Sequence, residues 1–111
     1  MPPFAKQARL RKRSDFQRVK IQSRRLHSKG FLVMVSYRND GGPTRLGVTV
    51  SSQVGVAVRR VRVKRLIREV FRLNQGSFPP AADVVVVAKP GCQVDSYQEA
   101  VSELLGALQK A

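Results

Sequence analysis

The chain reads as an α+β protein with the element order α-β-β-(β)-α-β-α, and three observations predict it. Helical periodicity recurs in three segments that carry their own start or stop signals. Runs rich in β-branched and aromatic residues fall between them, at 31–37, 45–51 and 83–88. Gly, Pro, Asn and Ser cluster where the two kinds of segment meet. At 111 residues the chain is one domain, 1–111, long enough for a modest core without disulfide or metal staples.

In order along the chain, residues 1–13 are basic and include Pro2 and Pro3, which predicts an extended arm. Ser14-Asp15-Phe16-Gln17 reads as a helix start, with Ser14 as N-cap and Gln17 completing a capping box. That helix is expected to bury Phe16, Val19 and Ile21 and to end near Ser23. Residues 31–37 and 45–51 are strands, and the turn chemistry of Asn39-Asp-Gly-Gly-Pro43 predicts an antiparallel hairpin over 31–51. One more short strand fits at 25–28. A basic helix follows from about Arg60 to Asn74, with Gly76 as its stop. Asp83-Val-Val-Val-Val-Ala88 has the pattern of a strand covered on both faces. Ser96-x-x-Glu99 is a second capping box. It opens a helix whose Tyr97, Ala100, Val101, Leu104, Leu105 and Leu108 recur at core spacing, with Glu99 and Glu103 where the helix dipole favours acids.

The formal net charge is +14 and the sequence pI is near 11.5, so the expected partner is polyanionic: RNA, DNA or an anionic membrane surface. The charge is uneven. Up to Arg72, nineteen Lys and Arg residues face only Asp15, Asp40 and Glu69, a net +16; beyond it the balance is −2. Binding therefore belongs to the first two-thirds of the chain. The basic helix concentrates it. At 100° per residue, Val63, Leu66, Ile67, Val70 and Phe71 share one arc, while Lys64, Arg65, Arg68 and Arg72, with Arg62 at the edge, take the opposite one. Arg59 and Arg60 stand at the entrance, where the positive end of the helix dipole adds to anion attraction. So many cations with so few acids repel one another unless an outside anion offsets them. The helix needs its apolar arc for the core, which disfavours membrane binding.

Several classes are disfavoured by what the residues lack. Cys92 is the single cysteine, so neither an internal disulfide nor a thiolate cluster can form; this suits a reducing cytosol, and a cytoplasmic location is expected. No apolar run approaches the roughly 20 residues that span a bilayer, and the basic N-terminus has no apolar stretch typical of a secretory signal. Metal-assisted cleavage wants clustered carboxylates, and general acid–base cleavage wants two titrating partners. Here the acids are scattered and His27 is alone, so the protein is expected to bind and not to cut. Phe16 is the best candidate for stacking on a single-stranded base, with Phe4, Phe31 and Tyr37 nearby in sequence and Phe31 and Phe71 read as core.

The residues Gly55, Ala57, Val58, Arg60, Arg62, Lys64, Arg65, Arg68, Glu69 and Phe71 stand in register with a signature, Gly-Asn-Ala-Val-x-Arg-Asn-Arg-x-Lys-Arg-x-x-Arg-Glu-x-Phe. In this the chain resembles the bacterial ribonuclease P protein subunit. The likeness extends to Arg9-Leu-Arg-Lys12 with Asp15-Phe16, to Leu46–Ser51, and to Val84–Pro90. It implies a compact α/β sandwich like a ribosomal protein domain, with a left-handed β-α-β crossover through the basic helix. It also implies a partner, the catalytic ribonuclease P RNA, held through Arg60, Arg62, Lys64, Arg65 and Arg68; Arg59 and Arg72, on the same basic helix, extend that expected RNA-binding face. A cleft between the first helix and the sheet, with Arg9, Arg11, Lys12, Phe16, Lys20 and Met34, would take the 5′ leader of precursor tRNA. Magnesium on the RNA would do the hydrolysis, and no obligate protein partner is implied. Val56 and Val61 replace asparagines usual in the family, Ser52 and Gln53 replace residues commonly basic, and Lys20 and Met34 fill positions often aromatic. On composition alone, a small ribosomal or RNA-chaperone protein is the alternative.

Overall fold

A computed structural model describes residues 9–10, 12–38 and 41–110. The elements are α1 (Arg13–Ile21), β1 (Arg24–His27), β2 (Phe31–Tyr37), β3 (Arg45–Thr49), α2 (Ala57–Leu73), β4 (Ala82–Ala88) and α3 (Tyr97–Leu108). The four strands form one sheet in the order β1-β2-β4-β3. β1 and β2 pair antiparallel, as do β2 and β4, while β3 runs parallel to β4. The α+β order of the sequence reading holds, and the extra short strand is β1.

The hairpin over 31–51 does not form. β4 inserts between β2 and β3, pairing Val33 with Val86 on one side and Val48 with Val86 on the other. The physical reason lies in β4 itself. Its valines leave almost nothing exposed on either face, and such a strand is best satisfied at the centre of a sheet, with both edges hydrogen-bonded. β2 and β3 run in opposite directions without being neighbours in the sheet, and Asn39 and Asp40 of the expected turn lie outside the described residues.

Alternation along the strands gives the sheet two apolar faces. On one, Phe31, Val33, Val35, Leu46, Val84 and Val86 pack with Val63, Ile67, Val70 and Phe71 of α2 and with Ala100, Leu104, Ala107 and Leu108 of α3. Phe71 and Phe78 meet edge to face, their centroids 5.0 Å apart. α3 opens with the expected box, Ser96 Oγ accepting from Glu99 N–H at 3.2 Å and donating to the Glu99 carboxylate at 3.1 Å. Glu103 does more than complement the dipole: its Oε1 accepts from Gly30 N–H at 2.7 Å and Ser28 Oγ at 2.9 Å, tying α3 to the β1–β2 turn. Asn74 at the end of α2 donates to Tyr97 Oη at 2.8 Å, joining the two helices.

α1 covers the other face over a smaller cluster of Leu10, Val19, Met34 and Val85, with Phe16, Leu32 and Val87 half-buried around it. Its start departs from the sequence reading. Lys12 is the N-cap, its carbonyl accepting from Asp15 and Phe16 N–H, so Ser14 and Gln17 are exposed residues inside the helix and form no capping box. Ile21 is 82% exposed, because at 100° per residue it lands roughly opposite Phe16 and Val19. α2 begins a turn earlier than expected, at Ala57, with Arg60 N–H bonding back to Val56 at 3.0 Å. Of the expected arm, Arg9 and Leu10 lie beside Leu46 of β3; the rest of 1–8 and Arg11 fall outside the described residues.

Candidate nucleic-acid interface

α2 presents its buried stripe to the sheet, which turns its cations outward. The side chains of Lys64, Arg65 and Arg68 form no ion pair or hydrogen bond with any described residue. Arg65 and Arg68 are exposed and Lys64 is half-buried. The other four basic residues of the helix have partners. Arg62 donates to the Asp95 carboxylate at 2.7 Å and to the Asp95 carbonyl at 2.6 Å, and Arg59 reaches the same carboxylate at 3.3 Å. Arg72 pairs with Glu69, and Arg60 Nε donates to the Gly55 carbonyl at 3.2 Å. Asp95 is exposed, so its pairs are weak, and an incoming phosphate can exchange with it at small cost. Gly55 supplies the lead-in: a Cβ there would lie 2.9 Å from Arg59 Cγ, with φ at +155°.

A second surface lies on the α1 side of the sheet. Strand register sets His27, Leu32, Val87 and Thr49 side by side in a row, with Leu32 and Val87 packed at the margin of the cluster under α1. Leu32 and Val87 are half-buried, while His27 and Thr49 are exposed. Phe16 lies over the neighbouring row, its ring on Gly47: a Cβ built on Gly47 would lie 2.7 Å from Phe16 Cε1 and Cζ. From Thr49 the chain passes through the turn at Ser52–Val54 directly into α2, so the row and the cationic helix share one edge of the molecule.

A buried ion network fixes α1 over the sheet. Asp83, fully buried in β4, accepts two hydrogen bonds from Arg45 at 2.8 Å each, and others from Arg38 and Arg18. Asp15 of α1 adds ion pairs to Arg18 at 3.5 Å and Arg45 at 3.8 Å. Burial alone would raise the Asp83 pKa. The hydrogen bonds from Arg45 and Arg38, the Arg45 charge and the bond from Arg18 outweigh it, holding the carboxyl below its ordinary 3.8.

The residues read as a leader cleft fall as follows. Phe16 is half-buried against Gly47; Lys12 and Lys20 are exposed at the two ends of α1; Arg9 is exposed beside β3. Met34 is 2% exposed, packed beneath α1 with Val19 and Val85, so it supports the floor and offers no open face. Arg11 is outside the described residues. The sequence reading missed Leu32, Val87 and Thr49, which alternation and strand order together would have placed beside Phe16. It also missed the Asp83 network, whose carboxylate looked like a strand boundary.

Among the described residues, no three His, Cys, Asp or Glu side chains are grouped so as to hold a metal ion. No described helix is long and apolar enough to cross a membrane. Cys92 is buried and free.

A helix of outward cations backed on a sheet, with a half-apolar row of strand residues at its root, defines a small RNA-binding α+β protein. The ribonuclease P family model matches residues 4–111. A ribonuclease P protein component from Alkaliphilus metalliredigens is 38% identical over 102 residues, 92% of this chain and 91% of its own. The RNase P protein of Staphylococcus aureus superposes with a TM-score of 0.83 at 28% identity, over 93% of this chain and 94% of that one. The Thermotoga maritima protein gives 0.82 at 30% identity, over 93% and 96%. The chain belongs to the ribonuclease P protein family, the protein components of an endoribonuclease holoenzyme.

Proposed function

We propose that this subunit docks on the catalytic RNA of ribonuclease P through the outer face of α2 and holds the 5′ leader of precursor tRNA along the cleft beside α1. The observation that carries the reading is the trio Lys64, Arg65 and Arg68: cations in register with the family signature, projecting from a rigid helix without a partner among the described residues. Arg59, Arg60, Arg62 and Arg72 extend the same surface. Unpaired surface cations on a protein of net charge +14 favour a polyanion over any neutral partner.

In the cleft, the ring of Phe16 and the half-buried Leu32 and Val87 give apolar area for an unstacked base, while Lys12 and Lys20 bracket it with positive charge for the leader phosphates. Among the described residues His27 is the lone imidazole, and no carboxylate stands in the row beside it. Bond cleavage is therefore assigned to the RNA and its magnesium ions, with the subunit raising substrate affinity and screening phosphate repulsion. A cytoplasmic site of action follows from that partnership.

The test is reconstitution. Purified protein is added to ribonuclease P RNA and precursor tRNA at a magnesium concentration where the RNA alone is inactive. Restored cleavage at the mature 5′ end is the expected result. RNA binding without any rescue would return the chain to the class of structural RNA-binding proteins.

A further inference from the structure

The outer side of α2 is not uniformly charged. Beside the cations runs a groove of about 450 Å³ lined by Ala57, Val58, Val61, Arg62, Arg65 and Leu66. Val58 is 80% exposed and Val61 46% exposed, and Val56 just before the helix is 74% exposed. Exposed β-branched residues at the start of a helix bring no propensity advantage and no burial in the free protein. Val58 and Val61, with Leu66, give the groove an apolar lining, and such patches on a monomer mark contact sites. Val61 stands where the signature has asparagine, whereas Val58 is in register with it, so Val61 is the lining valine that departs from the signature.

The occupant must suit both the valines and their rim. Arg62 and Arg65 flank the groove; Arg62 is held in place by Asp95, and Arg65 has no described partner. A phosphate alone would satisfy the guanidiniums and leave the valines wet. A second copy of the chain would bring another +14 against this surface. An unstacked nucleobase meets both demands. Its apolar face lies on Val58, Val61 and Leu66, a guanidinium plane stacks on its edge or face, and its flanking phosphates neutralise the arginines.

We infer that this groove seats an unpaired base of the partner RNA, giving α2 a contact to a base in addition to its contacts to phosphates. The inference rests on α2 being the RNA-docking helix and adds a component of affinity that salt does not screen. The groove's volume falls within the roughly 300–1,000 Å³ span of sites that enclose a small ligand.

The test is the salt dependence of binding to ribonuclease P RNA for the wild type, for Val58→Asn/Val61→Asn, and for Arg65→Ala. Both valines are exposed, so the double variant should keep its circular dichroism spectrum and melting midpoint. Losing a base contact lowers affinity by a constant factor, roughly fivefold, at the low end of what one stacked base contributes. The double variant's line should therefore run parallel below the wild type, whereas Arg65→Ala should have a shallower slope. A line that coincides with the wild type overturns the inference. So does a slope reduced as in Arg65→Ala, which would make the valines mere spacers for phosphate contacts. Self-association of the wild type that the double variant abolishes, with RNA affinity unchanged, would assign the groove to a protein contact and overturn it too. Failure of the wild type to bind RNA at all is a separate result, and it would remove the docking role of α2 itself.

Discussion

Replacing Asp83 by Asn tests how α1, and with it Phe16, is held in place. The carboxylate is fully buried and accepts from Arg18, Arg38 and Arg45. An amide of the same shape removes the charge facing three guanidiniums and turns an N–H₂ group toward N–H donors. Breaking a buried ion pair from one side costs about 3–5 kcal/mol. The partners contribute unequally: the Arg18 side chain is 43% exposed and its pair is screened, while the Arg38 side chain is only 12% exposed. For a domain of this size each kcal/mol moves the melting midpoint by about 4 °C, so a fall of about 12–20 °C is expected near neutral pH. The sign with pH follows from the lowered carboxyl pKa. The network's contribution is full above the unfolded value of 3.8 and disappears as pH falls through the lower folded value, so the two proteins should converge in acid. Thermal melts by circular dichroism from pH 7 to pH 3, in chloride buffer free of phosphate and sulfate, read both effects. A loss below about 3 °C at pH 7, or a gap that stays constant into acid, would refute the reasoning; the threshold is under 1 kcal/mol.

Two further perturbations address the RNA surfaces. Asp95→Asn removes the carboxylate charge facing Arg59 and Arg62, an exposed pairing of the kind that holds about 0.2–1 kcal/mol, while Arg62 keeps its bond to the main-chain carbonyl of residue 95; affinity for ribonuclease P RNA in filter binding at low salt should rise, by up to about fivefold. An unchanged affinity would mean that neither arginine reaches a phosphate. Gly47→Ala puts a methyl group where the Phe16 ring lies, 2.7 Å away, and overpacking of this kind costs about 1–3 kcal/mol. Precursor tRNA affinity of the reconstituted holoenzyme should fall, while affinity for the catalytic RNA should hold; equal losses in both would argue against a separate cleft beside α1.

Much of this architecture was legible in the residues, and what was not has identifiable causes. α2 and α3 were readable because their apolar stripes repeat over three or more turns and nothing else fits that period. The valines of β4 announced a strand covered on both faces, and followed through, that property also required partners on both edges. Turn chemistry at 41–43 outweighed it and produced the false hairpin, since a Gly-Gly-Pro segment reports a reversal of direction and says nothing of which strand lies alongside. The start of α1 was misread because Ser14 satisfies a local pattern, whereas the helix is fixed by Asp83, sixty-eight residues from Asp15 in sequence. Such long-range ion networks leave no periodic trace. The cationic face was visible at once, but which of its members are already paired depends on where Asp95 folds back, and the sequence has no way to state that.

The central claim is that Lys64, Arg65 and Arg68 project outward to hold RNA phosphates. The most direct measurement is the affinity for ribonuclease P RNA between 50 and 200 mM salt, for the wild type and for Arg65→Ala/Arg68→Ala. With six or more phosphates engaged, wild-type affinity should fall by roughly 10³-fold across that range. The double variant should bind more weakly with a slope reduced by about two, at an unchanged melting midpoint, since neither side chain has a partner among the described residues. A flat wild-type response, or a double variant indistinguishable from it, would contradict the account.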